Sequence, residues 1–154
     1  TGHHETTYLM MNQMFKLDLK NKSVLDMGCG TGVLAILSKM LGSSNTLGVD
    51  IDVWSYENSV ENAVLNNISD IQFLKGDVNS LDGKFDVILA NINRNIILSD
   101  INKYIDSMHE DSDLLLSGFL SEDVKIIREK SEELNLKFIS HKNKNRWNLL
   151  HFTN

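Results

Sequence analysis

The 154 residues include no proline, and no internal repeat or low-complexity segment breaks them. A proline-rich linker is therefore excluded, and a single domain over residues 1–154 is expected. One cysteine, Cys29, excludes an internal disulfide and fits a reducing, cytoplasmic compartment. The longest apolar stretches, such as Val87 to Ala90 and Leu114 to Leu116, are far too short to cross a bilayer. No charged-then-apolar presequence opens the chain, so neither secretion nor a membrane is expected. Positive charge is also short: 15 Lys and Arg against 21 Asp and Glu give a net charge of −6. Phosphate binding needs clustered cations, so direct nucleic-acid binding is not expected. The basic run His141 to Arg146 is the exception, and it reads as a solvated hairpin turn. His3 and His4 are adjacent, with no other His or Cys at ligand-like spacing, so no metal site is expected. A monomer is the expected state.

What is present alternates. Val24 to Met27 is an apolar run that stops at glycines, and Val33 to Leu41 reads as helix. Thr46 to Asp50 is a second strand, and Asp52 reads as the N-cap of a helix through Asn67, with Val53, Val60 and Val64 at helical spacing. Strands follow at 71–75, 85–92 and 113–117, with a helix from Arg94 to about Ser107 and another from Ser121 to about Leu134. Two last runs, 136–141 and 147–152, flank polar residues typical of a hairpin. Ahead of the first strand, Tyr8 to Leu17 reads as a helix capped by Glu5 or Thr6. Strict strand–helix alternation predicts an α/β fold with a mostly parallel sheet covered on both faces and an antiparallel edge. Ligands in such sheets bind beyond the carboxyl ends of the strands, where the strand order reverses.

One motif lies at that place. Asp26-Met-Gly28-Cys-Gly30-Thr-Gly32 links the first strand to its helix. Glycines let such a turn tighten and let backbone amides approach a ligand. Val33 stands where a dinucleotide fingerprint wants its third glycine, and no Gly-Lys-Ser/Thr follows, so NAD is disfavoured and a P-loop excluded. Asp50, at the end of the second strand, can accept both hydroxyl hydrogens of a ribose. Asp77 can accept from an exocyclic amine or simply cap a short helix, and Val78 can face a purine. Asn91 and Asn93 end the fourth strand or simply form its turn. Cys29 reads as a small loop residue, since no His–acid pair is suggested beside it. Four strand ends thus offer polar groups suited to one nucleoside with a small charged extension.

This pattern resembles the class I methyltransferases that use S-adenosylmethionine, and within them the ribosomal protein L11 methyltransferases (PrmA). That family carries Thr-Gly-x-His-x-Thr-Thr before its first strand, which Thr1 to Thr7 resembles. Its "LDxGCGxGxLAI" is mirrored by Leu25 to Ile36, its "GxDID" by Gly48 to Asp52 and its "ENAxxN" by Glu61 to Asn66. Its "ANI", "LSGxL" and terminal Trp are mirrored by Ala90 to Ile92, Leu116 to Leu120 and Trp147. The resemblance implies a Rossmann-like three-layer sandwich with a seven-stranded, mostly parallel sheet closed by an antiparallel hairpin. It implies S-adenosylmethionine as cofactor, with contacts from Thr7, Gly28, Asp50 and Asn91, and Asp26, Gly30, Gly32, Ile51, Asp77 and Val78 complete the expected cofactor site. It implies methylation of amino groups of ribosomal protein L11, by the catalytic part of a longer protein with an N-terminal substrate-recognition domain.

The chain departs from the family at Val53, at Glu110 to Asp113 and at Asn93 to Asn95, where Pro, Pro-Gly-Gly and Leu-Ala-Asn are usual. The last departure borders the expected substrate pocket. For catalysis, an Asn amide oxygen can accept from an amine and orient its lone pair; Asn91 can do this, hold the cofactor, or both. His4 can help close the site or shed a proton, or can be a solvated residue at the helix start. The residues alone also allow another substrate, or a catalytically idle nucleoside-binding module.

Overall fold

The computed structural model describes residues 4–154. In chain order the elements are α1 (His4–Met14), β1 (Ser23–Met27), α2 (Val33–Met40), β2 (Asn45–Asp50), α3 (Val53–Leu65), β3 (Gln72–Lys75), β4 (Phe85–Asn91), α4 (Arg94–Asp106), β5 (Met108–Leu120), α5 (Val124–Glu133), β6 (Lys137–Lys144) and β7 (Trp147–Thr153). Short 3-10 turns at Val78–Ser80 and Ser121–Asp123 follow β3 and β5. No described helix is long and apolar enough to cross a membrane.

The seven strands form one sheet in the order β3-β2-β1-β4-β5-β7-β6. The pairs from β3 through β5 are parallel, and β7 runs antiparallel to both β5 and β6. After β1 the chain builds outward to β2 and β3, then returns to place β4 on the other side of β1. The order therefore reverses between β1 and β4, and the crevice for a ligand opens there.

Period-2 alternation sends neighbouring apolar residues to opposite faces. Val24, Val87, Leu89, Leu115 and Leu149 pack with α1 and α2 through Met10, Met14, Leu34 and Leu37. Leu25, Ile88, Leu114, Leu116 and Phe152 pack with α4 and α5 through Ile97, Ile101, Tyr104 and Ile127. These strands read as continuous apolar runs because both faces are covered. The result is the expected three-layer α/β sandwich.

Four details differ from the sequence reading. First, α1 starts at His4, so Glu5 and Thr6 lie inside its first turn and do not cap it. Thr1, Gly2 and His3 lie outside the described residues. Second, the valines of α3 that recur at helical spacing are not its inner face: Val53, Val60 and Val64 are exposed, and Ser59 and Ala63 are buried. The face toward the sheet carries small residues because the glycine loop comes close there; a Cβ on Gly32 would lie 2.9 Å from that of Ser59. Third, β5 begins at Met108, with Asp111 at φ 56° in the segment where a loop was expected. Fourth, Ser121–Asp123 is a 3-10 turn and α5 proper starts at Val124.

The closing hairpin turns on two residues, Asn145 (φ 48°) and Arg146 (φ 68°), as a tight right-twisted turn requires. Its tip grips the first turns of α1. The Lys144 ammonium sits 4.4 Å from the Tyr8 ring centroid, and Asn145 donates to Glu5 Oε1 at 3.4 Å. Beneath, Gln13 Nε2 donates to His151 Nδ1 at 3.3 Å, and His151 Nε2 donates to Asp113 Oδ1 at 2.6 Å. This buried chain of bonds joins α1 to β7 and β5.

Candidate active site

A cavity of about 1070 Å³ opens over the carboxyl ends of β1, β2 and β4. Most of the residues selected from the sequence meet in its wall: His4, Thr7, Asp26, Gly28, Gly30, Asp50, Ile51, Asp77, Val78 and Asn91. Gly32 lies outside it. It ends the glycine loop at φ 80°, turns the chain into α2 and rests against Ser59.

The loop is fixed by its backbone. Gly28 and Cys29 N–H both donate to Val49 O, at 2.8 and 3.0 Å, which ties the start of the loop to β2. Gly28 sits at φ 66°, and a Cβ there would collide with Ile92 Cγ2. Gly30, at φ 54°, has nothing within 4 Å of where a Cβ would stand, so its bare face borders open cavity. The Asp50 carboxylate braces the loop from the end of β2: Oδ2 accepts Gly30 N–H at 2.9 Å and Oδ1 accepts Asp52 N–H at 2.9 Å. Each oxygen can accept a further bond, so Asp50 is held in place with capacity for a ligand hydroxyl.

Asp26 is almost wholly buried and accepts Ala35 N–H, in the first turn of α2, at 3.1 Å. Burial, opposed by that bond and aided by the Asp50 charge, pushes its carboxyl up to about 7. Cys29 is buried too, and burial pushes its thiol well above the usual range, so it is no nucleophile. Asp77 caps the 3-10 turn through Asn79 N–H at 2.9 Å, yet also lines the cavity. The capping and ligand-facing readings are compatible. Ile51 is 73% exposed at the cavity edge, and Val78 is buried.

Asn91 ends β4, and its buried side-chain oxygen has no hydrogen-bond partner among the described residues. A buried acceptor left unpaired at a cavity wall calls for a donor from a ligand. Asn93, in the segment that departs from the family, caps α4 by accepting Ile96 N–H at 3.1 Å, and Arg94 pairs with Asp123 at 2.9 Å. The replaced residues thus secure the start of α4 beside the cavity.

Several wall residues were missed. Thr6, Gly118, Trp147 and, on α4, Asp100 and Tyr104 also line the cavity. Trp147 stood only as a family feature; β7 pairs it with Leu120 of β5 and packs it against the core cluster that includes Leu9 and Met10 of α1. Nothing local in the sequence marks Thr6 or Tyr104.

The charge of the wall decides the ligand class. Asp26, Asp50, Asp77 and Asp100 line the cavity, with no Lys or Arg among the described lining residues. Such a wall repels phosphates and favours a ligand that carries positive charge and hydroxyl donors. Asp50, the open face over Gly30 and the unpaired Asn91 oxygen fit a nucleoside with a cationic extension. Among the described residues no group of three His, Cys, Asp or Glu could hold a metal ion.

Comparison with known proteins agrees with this geometry. The family model described as ribosomal protein L11 methyltransferase (PrmA) matches residues 1–154. A ribosomal protein L11 methyltransferase of Bacteroides thetaiotaomicron is 50% identical over 99% of this chain and 55% of its own length. The chain thus spans about half the length of the curated relatives it matches. The ribosomal protein L11 methylase of Lactobacillus delbrueckii subsp. bulgaricus superposes with a TM-score of 0.94 at 33% identity, over 97% of this chain and 79% of that one. Magnesium protoporphyrin IX methyltransferase of Synechocystis PCC 6803, solved with bound SAM, shares the fold at a TM-score of 0.75 and 18% identity, over 96% of this chain and 77% of that one. With the match running over residues 1–154 and half of the aligned residues shared with a curated relative, the chain belongs to the ribosomal protein L11 methyltransferase (PrmA) family.

Proposed function

We propose that this chain is the methyl-transferring domain of a longer protein, binding S-adenosylmethionine and methylating amino groups of ribosomal protein L11, on lysine side chains or the N-terminal amine. The observation that carries the reading is the cavity wall: four aspartates, no lysine or arginine among the described lining residues, and an unpaired buried Asn91 oxygen. When bound, S-adenosylmethionine supplies a methyl group already activated by its sulfonium.

The residues then divide the work. Asp50 accepts the ribose hydroxyls, and Ile51, Asp77 and Val78 enclose the base. The loop from Gly28 to Gly30 offers its backbone to the rest of the cofactor, Asp26 supplies negative charge beneath it, and Gly32 sets the loop's exit. Thr7, on the first turns of α1, covers the methionine end. The acceptor amine must arrive unprotonated, because an ammonium has no lone pair and lysine has a reference pKa of about 10.4. Asn91 Oδ1 accepts an N–H of that amine and turns its lone pair inward; alignment of this kind supplies much of the catalysis of a transfer. His4, exposed at the rim, gives the released proton a route to water.

The net charge of −6 supports a protein substrate over a nucleic acid, and the single thiol fits the cytoplasm. The chain is read as a monomer. Mass spectrometry of ribosomal protein L11, after incubation with cofactor and either this chain or the full-length protein, tests the reading. Methyl-sized increments that vanish without cofactor are expected. Cofactor binding with no increment from the full-length protein would return the idle-module alternative.

A further inference from the structure

The aromatic alcohol of α4 has no role so far. Tyr104 is fully buried, packs in one core cluster with Ile97, Ile101 and Val78, and still forms part of the cavity wall. Its hydroxyl has no hydrogen-bond partner among the described residues. A phenylalanine would fill the same space without burying a polar atom, and buried hydroxyls are otherwise almost always bonded. The position is telling, because α4 packs against the 3-10 turn Val78–Ser80, which Asp77 caps. Tyr104 therefore belongs to the part of the cavity wall formed with Val78 and the turn that Asp77 caps. Asp100, one turn earlier on α4, also lines the cavity.

Building on the cofactor reading above, we propose that the Tyr104 hydroxyl is a specificity-determining donor that reads a ring nitrogen on the edge of the bound adenine. Adenine presents an exocyclic amine, a donor, flanked by ring nitrogens that only accept. Asp77 and Asp100 are acceptors suited to the amine, and Tyr104 is the neutral donor needed beside them. Burial, with the Asp100 charge behind it, pushes the Tyr104 hydroxyl above its usual range, so it keeps its proton.

Tyr104→Phe in the 154-residue chain removes that one oxygen. Calorimetry is run with S-adenosylhomocysteine and with its 1-deaza and 7-deaza analogues. The variant binds S-adenosylhomocysteine about tenfold more weakly than wild type, the size of one hydrogen bond. For the analogue lacking the contacted nitrogen, the two proteins bind alike. Without ligand, the variant melts no lower than wild type, because its hydroxyl had no partner to lose. Equal affinity of both proteins for S-adenosylhomocysteine overturns the proposal. So does a loss of the same size with all three ligands, or a lower melting temperature of the free variant, since either makes the hydroxyl structural. Wild type failing to bind S-adenosylhomocysteine at all overturns the cofactor reading itself.

Discussion

Two glycines two residues apart, Gly28 and Gly30, separate stability from binding. A methyl group on Gly28 meets Ile92, whereas one on Gly30 meets only cavity. Both adopt positive φ, which costs alanine on the order of 1 kcal/mol. Gly30→Ala should therefore lose only about 1 kcal/mol in urea denaturation while losing cofactor binding in calorimetry. Gly28→Ala should lose both, with a stability cost of about 2 kcal/mol or more because the collision adds to the strain. Asn91→Ala should keep the fold and lower turnover on ribosomal protein L11 by about a hundredfold, read from initial rates. Near-normal turnover would leave Asn91 as a cofactor contact alone. Asp26 adds a pH signature. Its folded value of about 7 lies above the usual carboxylate value, so protonation favours the fold. The stability it contributes is complete below about pH 4 and is lost as pH rises through 7. Asp26→Asn, which cannot ionise, should gain relative to wild type across that window in ligand-free melts. Cofactor affinity of the wild type should rise over the same window, since the ionised carboxylate attracts a cation.

At the scale of elements, α1 is held by two devices: the hairpin tip above and the buried Gln13–His151–Asp113 chain below. Asp113→Ala leaves the His151 N–H buried and unpaired, and should cost about 1–3 kcal/mol in denaturation. It should also weaken cofactor binding, because α1 carries Thr6 and Thr7 into the cavity wall. On α3, Val64→Lys should change stability by less than about 0.5 kcal/mol, whereas Ala63→Leu should cost about 1–3 kcal/mol. That contrast marks the limit of what periodicity reveals. The helix was legible because Asp52 accepts Ser55 N–H and the valines recur. Its inner face was not, because Ser59 and Ala63 are small for the sake of a loop distant in sequence. The strands β1, β2 and β4 were readable from apolar runs ending at glycines or polar residues, and the site residues follow directly from those ends. Thr6, Trp147 and Tyr104 were hidden for the opposite reason: they reach the cavity only through the docking of α1, β7 and α4. The early start of β5 was likewise not legible, since Met108 joins the sheet by pairing with Phe85 across a register shift.

For the whole molecule, ligand binding and folding share one free energy. S-adenosylhomocysteine at a hundred times its dissociation constant should add about 2.7 kcal/mol of stability. For a domain of this size that is a rise of roughly 5–10 °C in melting temperature, measurable by differential scanning. The wall that would capture the ligand draws on residues from His4 to Trp147 along the chain. Joining them requires β7 to insert between β5 and β6 and to pack on α1, where the Gln13–His151 bond reaches across 138 residues. Contacts so distant along the chain form slowly, since loop closure precedes their reward. During synthesis the glycine loop emerges long before Trp147, and the cavity wall stays incomplete until then. Without β7 the chain keeps its glycine loop but lacks the side of the cavity that Trp147 supplies.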